Sequence, residues 1–212
     1  MLHKITKGEY INNPCGASSL AFWKNKSVVL PDNIKVVHKS DFCKSTLGKT
    51  EYYFRLLHEL IEITSNDLSS EFNFKLADIE NQKGLIADFI INCYNDMNVT
   101  EEIVEKWTKT EVFDSDLWVF IYEKSTNLPV AFGIAEYDAE IKEGVLDWIQ
   151  VLPKKRGFGL GQAIVSELLL RLKNKGAKFV TVSGKIDNET NPEALYRKCG
   201  FMGGDIWCVN NI

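Results

Sequence analysis

The sequence predicts a mixed α+β fold: a central, mostly antiparallel sheet flanked by helices, with a small α/β extension at its N-terminal end. Three observations carry that expectation. Residues 117–122, 130–137 and 145–152 are β-prone runs joined by short turns, which makes them an antiparallel meander. The last run stops at Pro153 and passes through a glycine-rich corner into an amphipathic segment. There Ile164, Leu168 and Leu172 share one face with Val165 and Leu169 beside them, as a helix requires. Another β-prone run follows at residues 178–183, and a strand–helix–strand unit of this kind runs parallel with a right-handed crossover.

The elements follow in order. Residues 1–70 are read as an extension or accessory domain and residues 71–212 as the main domain. Asn12, Asn13, Pro14, Cys15 and Gly16 are turn chemistry. Residues 27–30 and 34–38 are short β-prone runs around Pro31, Asp32 and Asn33, which suits a hairpin. Tyr53, Leu56, Leu57, Leu60 and Ile63 share a face at helical spacing, so residues 50–63 are expected to be a helix. Ser65, Asn66, Asp67, Ser69 and Ser70 then form a polar linker.

Phe72, Phe74 and Leu76 alternate as in a strand. Leu85, Ile86, Phe89 and Ile90 mark a helix over residues 82–94, and Thr100 followed by Glu101 and Glu102 opens a second one. After the meander and the glycine corner, Lys173 and Lys175 occupy the last turn of the long helix and Gly176 caps it. Asn191 and Pro192 begin a short helix through Cys199, and residues 205–209 form the last strand. Read as an exposed edge, that strand could pair between subunits, so monomer and homodimer both stay open.

Composition narrows the function classes. A 45% apolar content with twelve Phe and five Trp supplies a core. The net charge of −4 comes without a long block of one sign, which argues against a general nucleic-acid or anionic-membrane binder and is compatible with a cationic amine as substrate. No apolar run reaches the length of a membrane span and the start has no signal-peptide core, so a cytoplasmic protein is expected. The five cysteines are scattered and read as reduced thiols. His3, His38 and His58 lack metal-ligand spacing, so no metal is expected.

The glycine corner carries the chemistry. Gly157, Gly159 and Gly161 stand at alternate positions before the helix, with Lys154, Lys155 and Arg156 just upstream. A helix N-terminus presents unpaired N–H groups and partial positive charge, and glycines let an anion approach them, so the corner points to phosphate. The dinucleotide pattern fails, since Gln162 or Ile164 falls where its last glycine is required, and no Gly-Lys-Ser/Thr ends a P-loop.

A strand ending in Val151-Leu152-Pro153 and leading into Arg156-Gly-x-Gly-x-Gly161 resembles the acyl-CoA pyrophosphate loop of the GNAT superfamily of N-acyltransferases. Ala194-Leu-Tyr196-Arg-Lys198-Cys-Gly200-Phe201 is similar to a second block of that family, compressed ahead of the tyrosine. The order of elements from Phe72 onward is also that of the GNAT fold. The resemblance implies acetyl-CoA as acyl donor and a primary amine of a small molecule or peptide as acceptor. The pantetheine arm would pair with the main chain of Ile149, Val151 and Leu152. The pyrophosphate would rest on Arg156, Gly157, Phe158, Gly159, Leu160, Gly161 and Gln162. The family places an asparagine about two turns ahead of the tyrosine; Asn188 stands one residue too early for it, and Asn191, the cofactor-binding candidate here, also suits a helix cap.

Two catalytic assignments follow from the resemblance. Tyr196 would protonate the departing thiolate, and a carboxylate must take the proton of the attacking amine. Asp147 interrupts an otherwise apolar strand and fits that role, or else faces solvent on the open side of the sheet; Glu136 and Glu143 are further candidates. Acceptor specificity would lie in residues 82–110, the N-terminal segment, and aromatics such as Trp118 and Trp207. A catalytically silent acyl-CoA-binding or sensory domain, and a nucleotide module using the same loop, are the competing readings.

Overall fold

The computed structural model describes residues 5–27, 29–42, 49–64, 68–93 and 98–211. His3, Cys43 and the linker residues Ser65, Asn66 and Asp67 lie outside them. Among the described residues the core of the fold is one eight-stranded sheet in the order β1-β8-β2-β7-β6-β5-β4-β3. In chain order these are β1 (Ile34–His38), β2 (Thr50–His58), β3 (Phe72–Leu76), β4 (Trp118–Glu123), β5 (Leu128–Asp138), β6 (Glu143–Val151), β7 (Phe179–Lys185) and β8 (Met202–Asn211). The strands from β3 to β6 are antiparallel neighbours, and β6 pairs with β7 in parallel, so the sheet is mixed as expected.

Helices cover both faces. Among the described residues they are α1 (Lys7–Asn12), α2 (Phe22–Ser27), α3 (Lys83–Cys93), α4 (Glu101–Trp107), α5 (Leu160–Asn174) and α6 (Pro192–Lys198). The long helix α5 packs on β4, β5 and β6. Gly133 and Gly144 make that approach possible, since a Cβ on them would fall 2.4 Å from Ile164 and 2.7 Å from Leu172. Side chains alternate along a strand, so Phe132 points away from Gly133 to the opposite face. There it meets Phe89 of α3, and Trp107 of α4 packs on Trp118 and Trp148.

The structure departs from expectation in three places. Residues 50–63 hold a strand, not a helix: β2 lies between β7 and β8. In β2 the consecutive residues Phe54, Arg55 and Leu56 are all buried, so both faces are covered there, and its apolar residues lose strict alternation and can imitate helical spacing. The β-prone run Glu51-Tyr52-Tyr53-Phe54 was the signal that outweighed the periodicity. The hairpin does not form either; β1 pairs with β8, while Ser27 ends α2. With β1 on one side and β2 on the other, β8 is an internal strand and offers no edge to a partner. Both sides of the boundary at residue 70 therefore share one sheet.

A buried polar network fastens the N-terminal segment to that sheet. Glu143 at the start of β6 accepts hydrogen bonds from Tyr10 Oη (2.6 Å), Thr181 Oγ1 (2.6 Å) and the Phe22 amide (3.1 Å). Arg55 of β2 lies 3.5 Å from the same carboxylate and donates to Tyr10, Ser183 and the Pro14 carbonyl. Burial pushes the Glu143 carboxyl above the usual range, against the pull of Arg55 and the hydrogen bonds. A carboxylate so enclosed cannot meet substrate, which removes Glu143 as a catalytic base.

Candidate active site

The parallel pairing of β6 and β7 runs only from Glu143↔Phe179 to Leu146↔Val182, although both strands continue beyond it. The reason is visible on the other side of β6. Ile134 pairs with Trp148 and Ala135 with Leu146, which leaves Asp147 as the extra residue of a β-bulge. A bulge bends its strand and raises the local twist, so β6 turns away from β7 at this point. The wedge that opens is a cleft of about 210 Å³. Its walls are Asp147, Ile149, Gln150 and Val151 of β6, Ser183, Gly184 and Lys185 of β7, and Leu195 and Tyr196 of α6.

The glycine corner follows β6 directly. Gly157 and Gly159 have φ of +86° and +77°, the left-handed region that glycine enters at no steric cost. Gly159 is the N-cap of α5 and has no side chain with which to cap it, so the helix presents its first-turn N–H groups and the positive end of its dipole outward. Gly161 serves a different purpose: a Cβ there would lie 3.2 Å from Leu195, so this glycine lets α6 pack against the start of α5. Of the upstream cations, Lys155 is paired with Glu123, while Arg156 lines the cleft.

Asp147 also borders a small second cleft with Trp107, Thr110, Phe113, Trp118, Ile134 and Glu136. Asp147 as a whole residue is exposed although its side chain is only 28% exposed, so its open surface is largely main chain at the mouth of the wedge. Lys24 of α2 reaches this point, with Nζ 2.8 Å from Asp147 Oδ1 and 3.5 Å from Glu136 Oε2. Trp23 Nε1 donates to Glu136 at 3.0 Å. Burial, and then the charge of Asp147, push the Glu136 carboxyl up to about 7, despite the opposing pull of Lys24 and Trp23. Burial works to lower the Lys24 pKa, but Asp147 and Glu136 outweigh it and hold the amine above its usual value.

Tyr196 lines the cleft from α6, its ring packed on Phe54 and Phe201. Asn191 caps that helix, its Oδ1 accepting from the Ala194 amide at 3.3 Å, and Pro192 takes the first helical position. Asn188, not Asn191, borders the cleft.

The structure thus brings Asp147, Ile149, Val151, Arg156 and Tyr196 to one cleft. Leu152 precedes the loop that Gly157, Phe158, Gly159, Leu160, Gly161 and Gln162 form beyond it. Trp207 lies elsewhere, bound through Nε1 to the Cys15 carbonyl and packed on His38. Sequence reasoning missed Lys24, Trp23 and Gln150. Nothing in the spacing of the first two ties them to Glu136, which is distant in sequence; Gln150 was legible only as a polar residue in an apolar strand.

Among the described residues no group of His, Cys, Asp and Glu could hold a metal, and no helix is long and apolar enough to cross a membrane. Residues 114–202 match the family model described as Acetyltransferase (GNAT) domain. A search of curated proteins returned no match. Among solved structures, a GCN5-related N-acetyltransferase from Sphaerobacter thermophilus superposes with a TM-score of 0.67 at 16% identity, over 76% of this chain and 51% of that one. A putative GNAT-family acetyltransferase from Novosphingobium aromaticivorans gives 0.54 at 11% identity, over 86% and 68%. The ribosomal-protein-S18-alanine N-acetyltransferase of Escherichia coli gives 0.50 at 18% identity, over 66% and 92%. The matched part of this chain thus spans about half the length of the S. thermophilus protein. The bulged strand, the wedge, the glycine loop and α6 all lie within or at the border of residues 114–202, and with them this chain carries a domain of the GNAT acetyltransferase family.

Proposed function

We propose that the chain is an acetyl-CoA-dependent N-acetyltransferase that acts on a primary amine of a small molecule or peptide by direct attack. The observation that carries the reading is the wedge at Asp147 continuing into the glycine-rich N-terminus of α5, to which the N-cap Gly159 adds no side chain. The wedge leaves main-chain groups of Ile149 to Val151 without a strand partner on the β7 side, which suits the amides of a pantetheine arm. The first turn of α5, with Arg156 beside it, suits a pyrophosphate.

Glu136 is the better base of the acidic pair. Its carboxyl, raised to about 7, is ionised in part at neutral pH yet basic enough to take a proton from an ammonium. Asp147 binds the Lys24 ammonium, and Tyr196 lines the cleft from α6 and is the candidate to give the leaving thiolate its proton. Thiol release from acetyl-CoA with a panel of primary amines and free-N-terminus peptides tests the reading. Turnover with one acceptor class supports it; donor binding without turnover by any amine would favour a silent acyl-CoA-binding domain.

Two variants sharpen the test. Gly159→Val forces a β-branched residue to positive φ and narrows the approach to the helix amides, so titration calorimetry should show acetyl-CoA affinity at least about tenfold weaker. Tyr196→Phe keeps the ring packing and removes the hydroxyl; kcat should fall by about tenfold or more with little change in donor affinity. Unchanged kcat would move the acid role to another group.

A further inference from the structure

The acidic pair already holds a primary amine. Lys24 is not a loose surface cation: its side chain is 24% exposed, and the two residues before it anchor the helix that carries it. The Phe22 amide is bound to Glu143, and Trp23 is bound to Glu136. In an ion pair this enclosed the cost of desolvating the charges offsets much of their attraction, so stability gives no reason to aim a lysine at carboxylates on the two adjacent strands β5 and β6. The position itself supplies a reason. Asp147 borders both the wedge and the small cleft, and the Lys24 amine is bonded to its carboxylate at 2.8 Å, one side chain away from either.

We propose that Lys24 is an acyl acceptor of this site, so that with an acyl-CoA thioester in the wedge the chain acylates its own Lys24. The inference rests on the donor reading above. In the step, the Lys24 ammonium gives one proton to Glu136 and the neutral amine attacks the thioester carbonyl carbon. The N–C bond forms, the C–S bond breaks, and the sulfur leaves as a thiolate that takes up a proton from Tyr196. The second proton lost by the nitrogen restores that tyrosine through solvent, and Glu136 returns its own proton to water. The products are amide-linked Lys24, the free thiol of CoA and one proton. Holding the two partners in one site replaces a bimolecular encounter, which is the main rate advantage of such a reaction. Acylation also removes the charge that balances Glu136 and Asp147.

The test uses the full chain incubated with acetyl-CoA, peptide mass spectrometry to locate acetyl groups, and calorimetry on the same sample to record donor binding. Lys49 and Lys109, with side chains 80% and 73% exposed, serve as internal standards for uncatalysed acetylation. The expected result is acetylation of Lys24 at least about tenfold faster than of either standard, with a rate constant unchanged on dilution of the protein. Glu136→Gln should lower the Lys24 rate by about a hundredfold while leaving the two standards as they were. Acetyl-CoA bound but Lys24 unmodified, or modified no faster than Lys49 and Lys109, would overturn the proposal and leave the donor reading intact. No binding of acetyl-CoA would overturn both.

Discussion

Glu136→Gln is expected to lower kcat for an amine acceptor by about a hundredfold or more, the usual contribution of a general base, while acetyl-CoA binds as before. The two carboxylates on adjacent strands have unlike surroundings: Asp147 is bonded directly to Lys24, whereas Glu136 is buried beside the charge of Asp147. A base must be ionised to act, so kcat/KM of the wild type should rise with pH up to about 7 and level above it. The Gln variant should lose that limb. A stability measurement gives an independent check. Because the folded-state value is raised from 4.5 to about 7, the native chain holds a proton that the unfolded chain has released; stability therefore falls as pH rises through this window and levels above it. The variant should lack that decline. An unaltered pH–rate profile in Glu136→Gln would assign the base elsewhere.

Arg55→Met is expected to destabilise the chain by about 3–5 kcal/mol in denaturant unfolding, the largest stability effect of any change considered. Arg55 is the cation facing Glu143 inside the sheet, and it also donates to Tyr10, Thr181, Ser183 and the Pro14 carbonyl. Its loss leaves a buried carboxylate without its charge partner and several acceptors unpaired. The same network holds the Phe22 amide, so the variant should also free α2 and with it Lys24 and Trp23. A loss below about 1 kcal/mol would mean that the network is not what docks the N-terminal segment.

Arg55 and Lys24 mark how far the sequence could be read. The segment from β3 to α6 was legible because its signals are local: alternation, an N-cap at Thr100, a proline stop at Pro153, and positive-φ glycines next to cations. Arg55 and Lys24 were not legible, because their meaning depends on partners far away in the chain. Reading β2 as a helix hid the first, since a central strand with Leu56 and Arg55 buried on opposite faces has no polar side to announce it. The second required knowing that α2 docks beside the bulge. Asp147 illustrates the middle case. Its polarity within an apolar strand marked it as special, but only the register shift opposite Ile134 and Ala135 shows that it also opens the wedge.

The central claim is that the wedge and the glycine corner hold an acyl-CoA, and thermal unfolding with acetyl-CoA, CoA, ATP and NAD at matched concentrations tests it most directly. At roughly 100 times its dissociation constant a ligand adds about 2.7 kcal/mol, which for a chain of this size is a shift of about 5–10 °C. A shift of that order with acetyl-CoA and CoA, and none with ATP or NAD, is the predicted result. No shift with CoA, or a larger one with ATP or NAD, would contradict the assignment of the loop and the function built on it.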